Sequence, residues 1–320
     1  MSDTLADTEA SQLLQAARRG ERSALARLLT MVERGGDRAH AVARATAAVA
    51  DPDDGYTVGI TGAPGAGKST LTNALVRRMR ADDVELAVLA IDPSSPFTGG
   101  AILGDRVRMS DHALDQGVFI RSMATRGHLG GLGLATPGAV RLLHAAGRGW
   151  VLIETVGVGQ VEVEVAGAAD TTVVVVNPGW GDAVQANKAG LLEIADVFVV
   201  NKADRSGTDD TCRDLEAMLD LTEGRDWRPP ILTTVATDGI GIDDLWAAIG
   251  SHRAHQEATG ELVRRRAVRR RDELARIVVE RLRARADELC GGDAFQALHA
   301  RVEAGDLDPW SAADELLGGR

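Results

Sequence analysis

The stretch "GITGAPGAGKSTLTNAL" places Gly62, Gly67, Lys68 and Ser69 in the spacing Gly-x4-Gly-Lys-Ser, between a β-branched run and one rich in alanine and leucine. Glycines at 62, 65 and 67 let the backbone curl so that successive N–H groups point inward, a cradle for the β- and γ-phosphates of a nucleotide. Ala63, Pro64 and Ala66 complete the loop. Lys68 adds positive charge to those oxygens, and the Ser69 hydroxyl suits Mg2+. The helix opening at Ser69-Thr70 offers its positive N-terminus to the anion. A Gly-rich turn with no ligand explains the glycines but not Lys-Ser-Thr at this offset after a strand.

A nucleotide-bound Mg2+ also needs carboxylates. Asp92 closes "VLAID" and Glu154 closes "WVLIE", both at the ends of strand-like runs, where an acid reaches the metal directly or through water. Glu154 also opens "ETVG", whose glycine N–H is placed to sense a γ-phosphate. Asp105, in the Gly-rich "GAILGDRVRM", is a third metal candidate.

Farther along, "VFVVNKADRSG" presents Asn201-Lys202-x-Asp204 directly after another apolar run. A carboxylate at 204 accepts from both N1–H and the 2-amino group of guanine, a pair of donors adenine does not have. Asn201 is expected to brace this loop and the Lys202 stem to lie along the base plane. Backbone at Val235, Ala236 and Thr237, in "TTVATDGIGI", is the expected contact for guanine O6. The nucleotides implied are GTP and GDP. A further loop, "NPGWGDAVQANKAG" (177–190), follows "TTVVVV" and carries Asp182, Gln185 and Lys188, groups able to change partners when phosphate is lost.

These motifs need a scaffold that brings them to one edge. Between 56 and 249, the runs "YTVGI", "ELAVLAI", "GVFI", "WVLIE", "TTVVVV", "DVFVVN" and "PILTTVA" alternate with helix-compatible segments. Such alternation predicts an α/β fold, a mostly parallel sheet flanked by helices with ligands at the carboxyl ends of the strands. Residues 1–50 read as an N-terminal helical segment broken at Gly20 and Gly35-Gly36, 51–250 as the nucleotide-binding domain, and 251–320 as a C-terminal helical arm. In 261–287, ten arginines stand against five acids, read as solvated helix surface. Leu274, Val278 and Leu282 form one apolar stripe on that rod, which predicts a homodimer arm.

Bulk properties narrow the partners. A net charge of −11 argues against general nucleic-acid binding. Cys212 and Cys290 form no framework, which suits a reducing cytoplasm, and no apolar run is long enough to cross a membrane.

Taken together, "GAPGAGKST", "AIDPSSPFTGGAILGDRVRM", "FIRSMATRGHLGGL", "ETVGVGQ" and "NPGWGDAVQANKAGLLEIADVFVVNKAD" closely resemble the MeaB/ArgK family, the methylmalonyl-CoA mutase-associated GTPases. Val235 departs from the serine usual there, which leaves backbone contacts intact. The resemblance implies a P-loop fold, Mg-dependent GTP hydrolysis, and a homodimeric chaperone of an adenosylcobalamin-dependent acyl-CoA mutase. Such a chaperone is expected to gate cobalamin loading and to protect or reactivate the mutase. The resemblance also implies that 177–190 is a switch region that answers to the mutase, and Gln185 and Lys188 are expected to reach the nucleotide site only in the assembled complex. Val156 and Gly157 stand where a generic hydrolytic glutamine is absent, so hydrolysis by the chain alone is expected to be slow. Two weaker alternatives are a nickel-insertion metallochaperone GTPase, disfavoured by seven scattered histidines, and an ArgK-type kinase linked to amino-acid transport, for which no second substrate site is evident.

Overall fold

The computed structural model describes residues 2–49, 51, 54–92, 112, 114–124, 135–155, 165, 167–179, 190, 192–221 and 226–318. Each apolar run forms a strand: Tyr56–Gly62 (β1), Leu86–Asp92 (β2), Val118–Ala124 (β3), Trp150–Thr155 (β4), Thr171–Val176 (β5), Val197–Asn201 (β6) and Ile231–Thr234 (β7). They pair in the order β3-β2-β4-β1-β5-β6-β7, and every pairing is parallel. β1, β5 and β6 are buried at every position, as unalternating apolar runs require when both faces of a sheet are covered.

Helices cover both faces. Lys68–Ala81 (α4) and Ile242–Thr259 (α7) place Leu71, Leu75, Leu245 and Ile249 against Val58, Ile60, Leu152 and Val175. Thr208–Asp220 (α6) sets Leu215 and Leu219 on Val174, Val176, Phe198 and Val200. On the other face, Ala135–Ala145 (α5) joins three N-terminal helices, Ser2–Arg18 (α1), Arg22–Arg34 (α2) and Gly36–Ala47 (α3), broken where the glycines fall. Leu25, Leu28 and Leu29 of α2 share one core with Leu89, Phe119 and Ile153. Each such burial contributes about 1.5–3 kcal/mol, so these helices are part of the core. Arg121 of β3 adds a tie to α2, through Glu33 (2.8 Å) and Thr30 (3.1 Å).

The edge formed by the strands' amino ends is ionic. Asp170, just before β5, accepts from Thr57 N (3.0 Å), from Arg266 (2.8 and 3.1 Å) and from Arg269. Asp196, just before β6, accepts from Thr172 N (2.8 Å) and Arg265 (3.1 Å). These arginines open the helix Glu261–Cys290 (α8). The reading of the whole basic run as solvated surface is therefore corrected: Arg266 is only 8% exposed and Arg265 and Arg269 are part-buried in ion pairs. Burial pushes the Asp170 carboxyl up, but the hydrogen bond and charge of Arg266 and the charge of Arg269 outweigh it and hold the group below the usual carboxylate value.

His252 lies in the same edge, with Nδ1 2.8 Å from Thr171 Oγ1 and Nε2 3.4 Å from Asp196. Burial lowers its pKa more than Asp196 raises it, and burial likewise lowers that of His144, whose Nδ1 lies 2.8 Å from the Arg148 carbonyl. Both imidazoles are thus held neutral in the fold, while the unfolded chain takes up protons near the ordinary histidine value of about 6.5. Their contribution to stability is complete above that pH and is lost as pH falls toward the depressed folded values. Urea unfolding midpoints are expected to fall between about pH 7.5 and about pH 5.5, with a smaller fall in His252→Gln. A midpoint that stays flat across that range would refute the assignment.

The chain divides into two compact units, Met1–Arg269 and Arg270–Arg320. Within the second, Asp293–Glu303 (α9) and Pro309–Leu316 (α10) pack together, fastened by Arg301 on both oxygens of Glu315 (2.9 and 3.0 Å). Asp308 caps α10 by accepting from Trp310 N and Ser311 N. Leu274, Val278 and Leu282 are exposed at 63%, 47% and 61%. Among the described residues, no helix is long and apolar enough to cross a membrane.

Candidate nucleotide site

Along the carboxyl edge of the sheet, the strand ends bring Asp92, Glu154, Gly62, Val176, Asn201 and Thr234 into the order β2-β4-β1-β5-β6-β7. The two acids therefore fall on one side of the Gly62–Lys68 loop and the Asn201–Asp204 loop on the other, a phosphate end and a base end. Strand order alone makes this separation.

The Gly62–Ser69 loop links β1 to α4, and two of its glycines are dictated by neighbours. A Cβ on Gly62 would lie 2.0 Å from the Val175 carbonyl oxygen, and one on Gly67 would lie 2.4 Å from Asn201 Nδ2. Both positions also have positive φ, +136° and +93°. Lys68 is buried, and its Nζ donates to the carbonyls of Gly62 (2.7 Å) and Ala63 (3.0 Å), so the charge is stored inside the loop it serves. Ser69 and Thr70 occupy the first turn of α4, while Pro64 and Gly65 are exposed and Ala66 is buried.

Glu154 pairs in register with Ile60 on β1 and is 3% exposed. The period of two puts it on the same face as Leu152, which packs with α4, so its carboxylate lies on the side of the sheet that carries the Ser69 helix. Thr155, next in the strand, turns to the other side and donates to Thr61 Oγ1 (3.2 Å). Asp92 ends β2 opposite Ala124. Asp105, Gln185 and Lys188 lie outside the described residues. The hard oxygen donors at hand, a serine hydroxyl and a buried carboxylate, are the ligand types Mg2+ accepts alongside phosphate oxygens. Among the described residues no group of three or more His, Cys, Asp or Glu side chains is placed to hold a metal by itself.

At the base end Asn201 is the hub. Its Nδ2 donates to the Ala66 carbonyl (2.9 Å), and its Oδ1 accepts from Thr234 Oγ1 (3.0 Å) and Ala236 N (3.2 Å). One buried amide thereby ties the phosphate loop, the end of β6 and the Val235–Thr237 loop together. Lys202 holds a left-handed φ of +61° and donates from Nζ to Gly65 O (2.6 Å). Such strain in a non-glycine residue is retained where surrounding bonds over-determine it. Ala203 N donates to Thr234 O (3.0 Å). Asp204 ends this loop with its side chain exposed, while Ala236 is buried and Thr237 exposed. Three residues were not evident from spacing: Thr234, Thr208 and Thr211. Thr234 meets Asn201 only through the β6–β7 register, and Thr208 and Thr211 belong to the helix after the base loop.

Several known proteins are similar to this chain. The family described as methylmalonyl-CoA mutase-associated GTPase MeaB matches residues 25–289. A Pyrococcus abyssi protein named as a GTPase is 46% identical over 316 residues, 96% of this chain and 97% of that one. The mitochondrial methylmalonic aciduria type A homolog of Mus musculus is 34% identical over 268 residues, 82% of this chain and 65% of that one. A crystal structure of an LAO/AO transport system kinase superposes with a TM-score of 0.70 at 27% identity, covering 97% of each chain.

Proposed function

The chain belongs to the methylmalonyl-CoA mutase-associated GTPase MeaB family, and from that premise we propose that its GTPase cycle serves an adenosylcobalamin-dependent acyl-CoA mutase. In this reading it gates cobalamin loading and protects or restores the mutase. Methylmalonyl-CoA mutase is the first partner to test. The observation that carries the nucleotide part is the Asn201 hub, which links the phosphate loop and the guanine-reading loop through one side chain.

In the proposed mechanism, GTP lies across the edge with its phosphates in the 62–69 loop and its base at Asp204. The backbone N–H groups, the α4 N-terminus and Lys68 hold the β- and γ-oxygens. Ser69, Glu154 and Asp92 would hold Mg2+, with Asp105 as a further candidate, and the ion would neutralise charge on the β- and γ-phosphate oxygens. Water attacks the γ-phosphorus as the bond to the β–γ bridging oxygen breaks, releasing GDP and inorganic phosphate. Gln185 and Lys188 are proposed to complete the site when the mutase is bound. Leu274, Val278 and Leu282, an exposed apolar stripe, support a homodimer through the C-terminal arm.

The test is GTP hydrolysis by the purified protein with and without purified methylmalonyl-CoA mutase, ATP serving as control. Slow GTP turnover, about tenfold faster with the mutase and reduced to the unstimulated rate in Lys188→Ala, is expected. Turnover indifferent to the mutase would remove the partner and leave the GTPase. Equal use of ATP would remove the base assignment.

A further inference from the structure

The first turn of α6 touches both functional loops at once. Thr208 Oγ1 donates to the carbonyls of Arg205 (2.9 Å) and Ala203 (3.3 Å), inside the loop that reads the base. One turn on, Thr211 is 4% exposed, and its hydroxyl does two things. It donates to Gly207 O (3.0 Å), a back-bond open to any helical threonine. It also accepts from Gly179 N (3.3 Å), in the turn Asn177-Pro178-Gly179 that leaves β5. A second contact coincides with it: a Cβ built on Gly207 would lie 3.8 Å from Gly179 N and 3.9 Å from Pro178 Cβ. The start of α6 thus lies directly against this turn.

β5 in turn abuts the phosphate loop, since its Val175 carbonyl crowds the Cβ position of Gly62. The path runs from base loop to Thr208, along one helical turn to Thr211, and across to the β5 exit beside the Gly62–Ser69 loop. A hydroxyl is required at 211 because that position must donate and accept, which neither alanine nor valine does. An ordinary helix–sheet contact would need only the aliphatic part of the side chain.

We infer that Thr211 is a positioning residue, setting the Pro178-Gly179 turn against the guanine-reading loop so that base recognition and the phosphate side stay in register. The inference rests on the GTPase reading above. It requires that removing the hydroxyl disturb the chemical step more than nucleotide affinity, because Thr211 touches neither base nor phosphate.

The experiment compares wild type, Thr211→Val and Thr211→Ser in single-turnover GTP hydrolysis and in equilibrium binding of a fluorescent GDP. The valine variant is expected to hydrolyse about five- to tenfold more slowly, the effect of one net hydrogen bond, with GDP affinity held within about twofold. The serine variant, which keeps the hydroxyl, should return to near the wild-type rate. Thr211→Ala supplies the same loss of hydroxyl if valine does not fold. Hydrolysis unchanged in the variant lacking the hydroxyl overturns the inference, and so does a parallel loss of rate and GDP affinity, which would mark Thr211 as merely structural. A wild type without GTP turnover would remove the GTPase reading and this inference together, so the two failures are distinguishable.

Discussion

Asp204→Asn is expected to weaken GTP binding by about a thousandfold while strengthening binding of xanthosine triphosphate. Asp204 ends the loop that Asn201, Lys202 and Ala203 anchor to the phosphate loop and to β7, and its carboxylate is exposed at the site's edge. Two charge-assisted hydrogen bonds to N1–H and the 2-amino group, each contributing about 1.5–3 kcal/mol, are lost when the carboxylate becomes an amide. An amide presents a donor as well as an acceptor, which matches xanthine, whose 2-position is a carbonyl. The measurement is competitive displacement of a fluorescent GDP by GTP, XTP and ATP. Because this exposed side chain carries no hydrogen bond or ion pair among the described residues, thermal stability should not change. A variant that keeps wild-type GTP affinity would move base recognition away from Asp204. Loss of GTP binding with no gain for XTP would mean that the carboxylate braces the loop and does not read the base.

The second large effect lies at the opposite edge of the sheet. Asp170→Ala removes the acceptor shared by Thr57 N, Arg266 and Arg269, and so breaks the buried ion pair with Arg266, which also donates to Gly55 O (2.7 Å). Breaking a buried ion pair by removing one member costs about 3–5 kcal/mol, well beyond the net value of the pair itself. Urea unfolding of wild type, Asp170→Ala, Arg266→Met and the double variant measures the coupling directly. The double variant is expected to be more stable than Asp170→Ala alone, since it also removes the buried charge that has lost its Asp170 partner. GDP affinity should be unaffected, because Asp170 precedes β5 whereas the nucleotide loops follow the strands' other ends. A loss below about 1 kcal/mol would refute Asp170 as the main anchor of this edge.

Much of the site was legible in the chain because its motifs are local. Gly62 to Ser69 are contiguous, and one strand, one loop and one helix start suffice to place them. Asn201 to Asp204 likewise follow a strand directly. Sequence spacing also identified all seven described strands, since apolar β-branched runs carry their own hydrophobic signature, most plainly where both faces are buried, as in β1, β5 and β6, and it placed the helix breaks at Gly20 and Gly35. The Asn201–Asp204 motif extended this to the nucleotide, and the resemblance to the family.

What folding alone decided involves partners far apart in the chain. Arg266 and Asp170 are 96 residues apart, and no spacing rule separates a buried arginine from a solvated one in a run of ten. That Thr234 serves Asn201 follows from the parallel register of β6 and β7. Likewise Thr211 reaches Gly179 only because α6 starts beside the β5 exit. Residue type and short-range spacing set which groups are candidates for the chemistry, since backbone curl and strand ends are local properties. Which groups hold the chemistry in place was settled by strand order and packing, where contact depends on three-dimensional closure and not on distance along the chain.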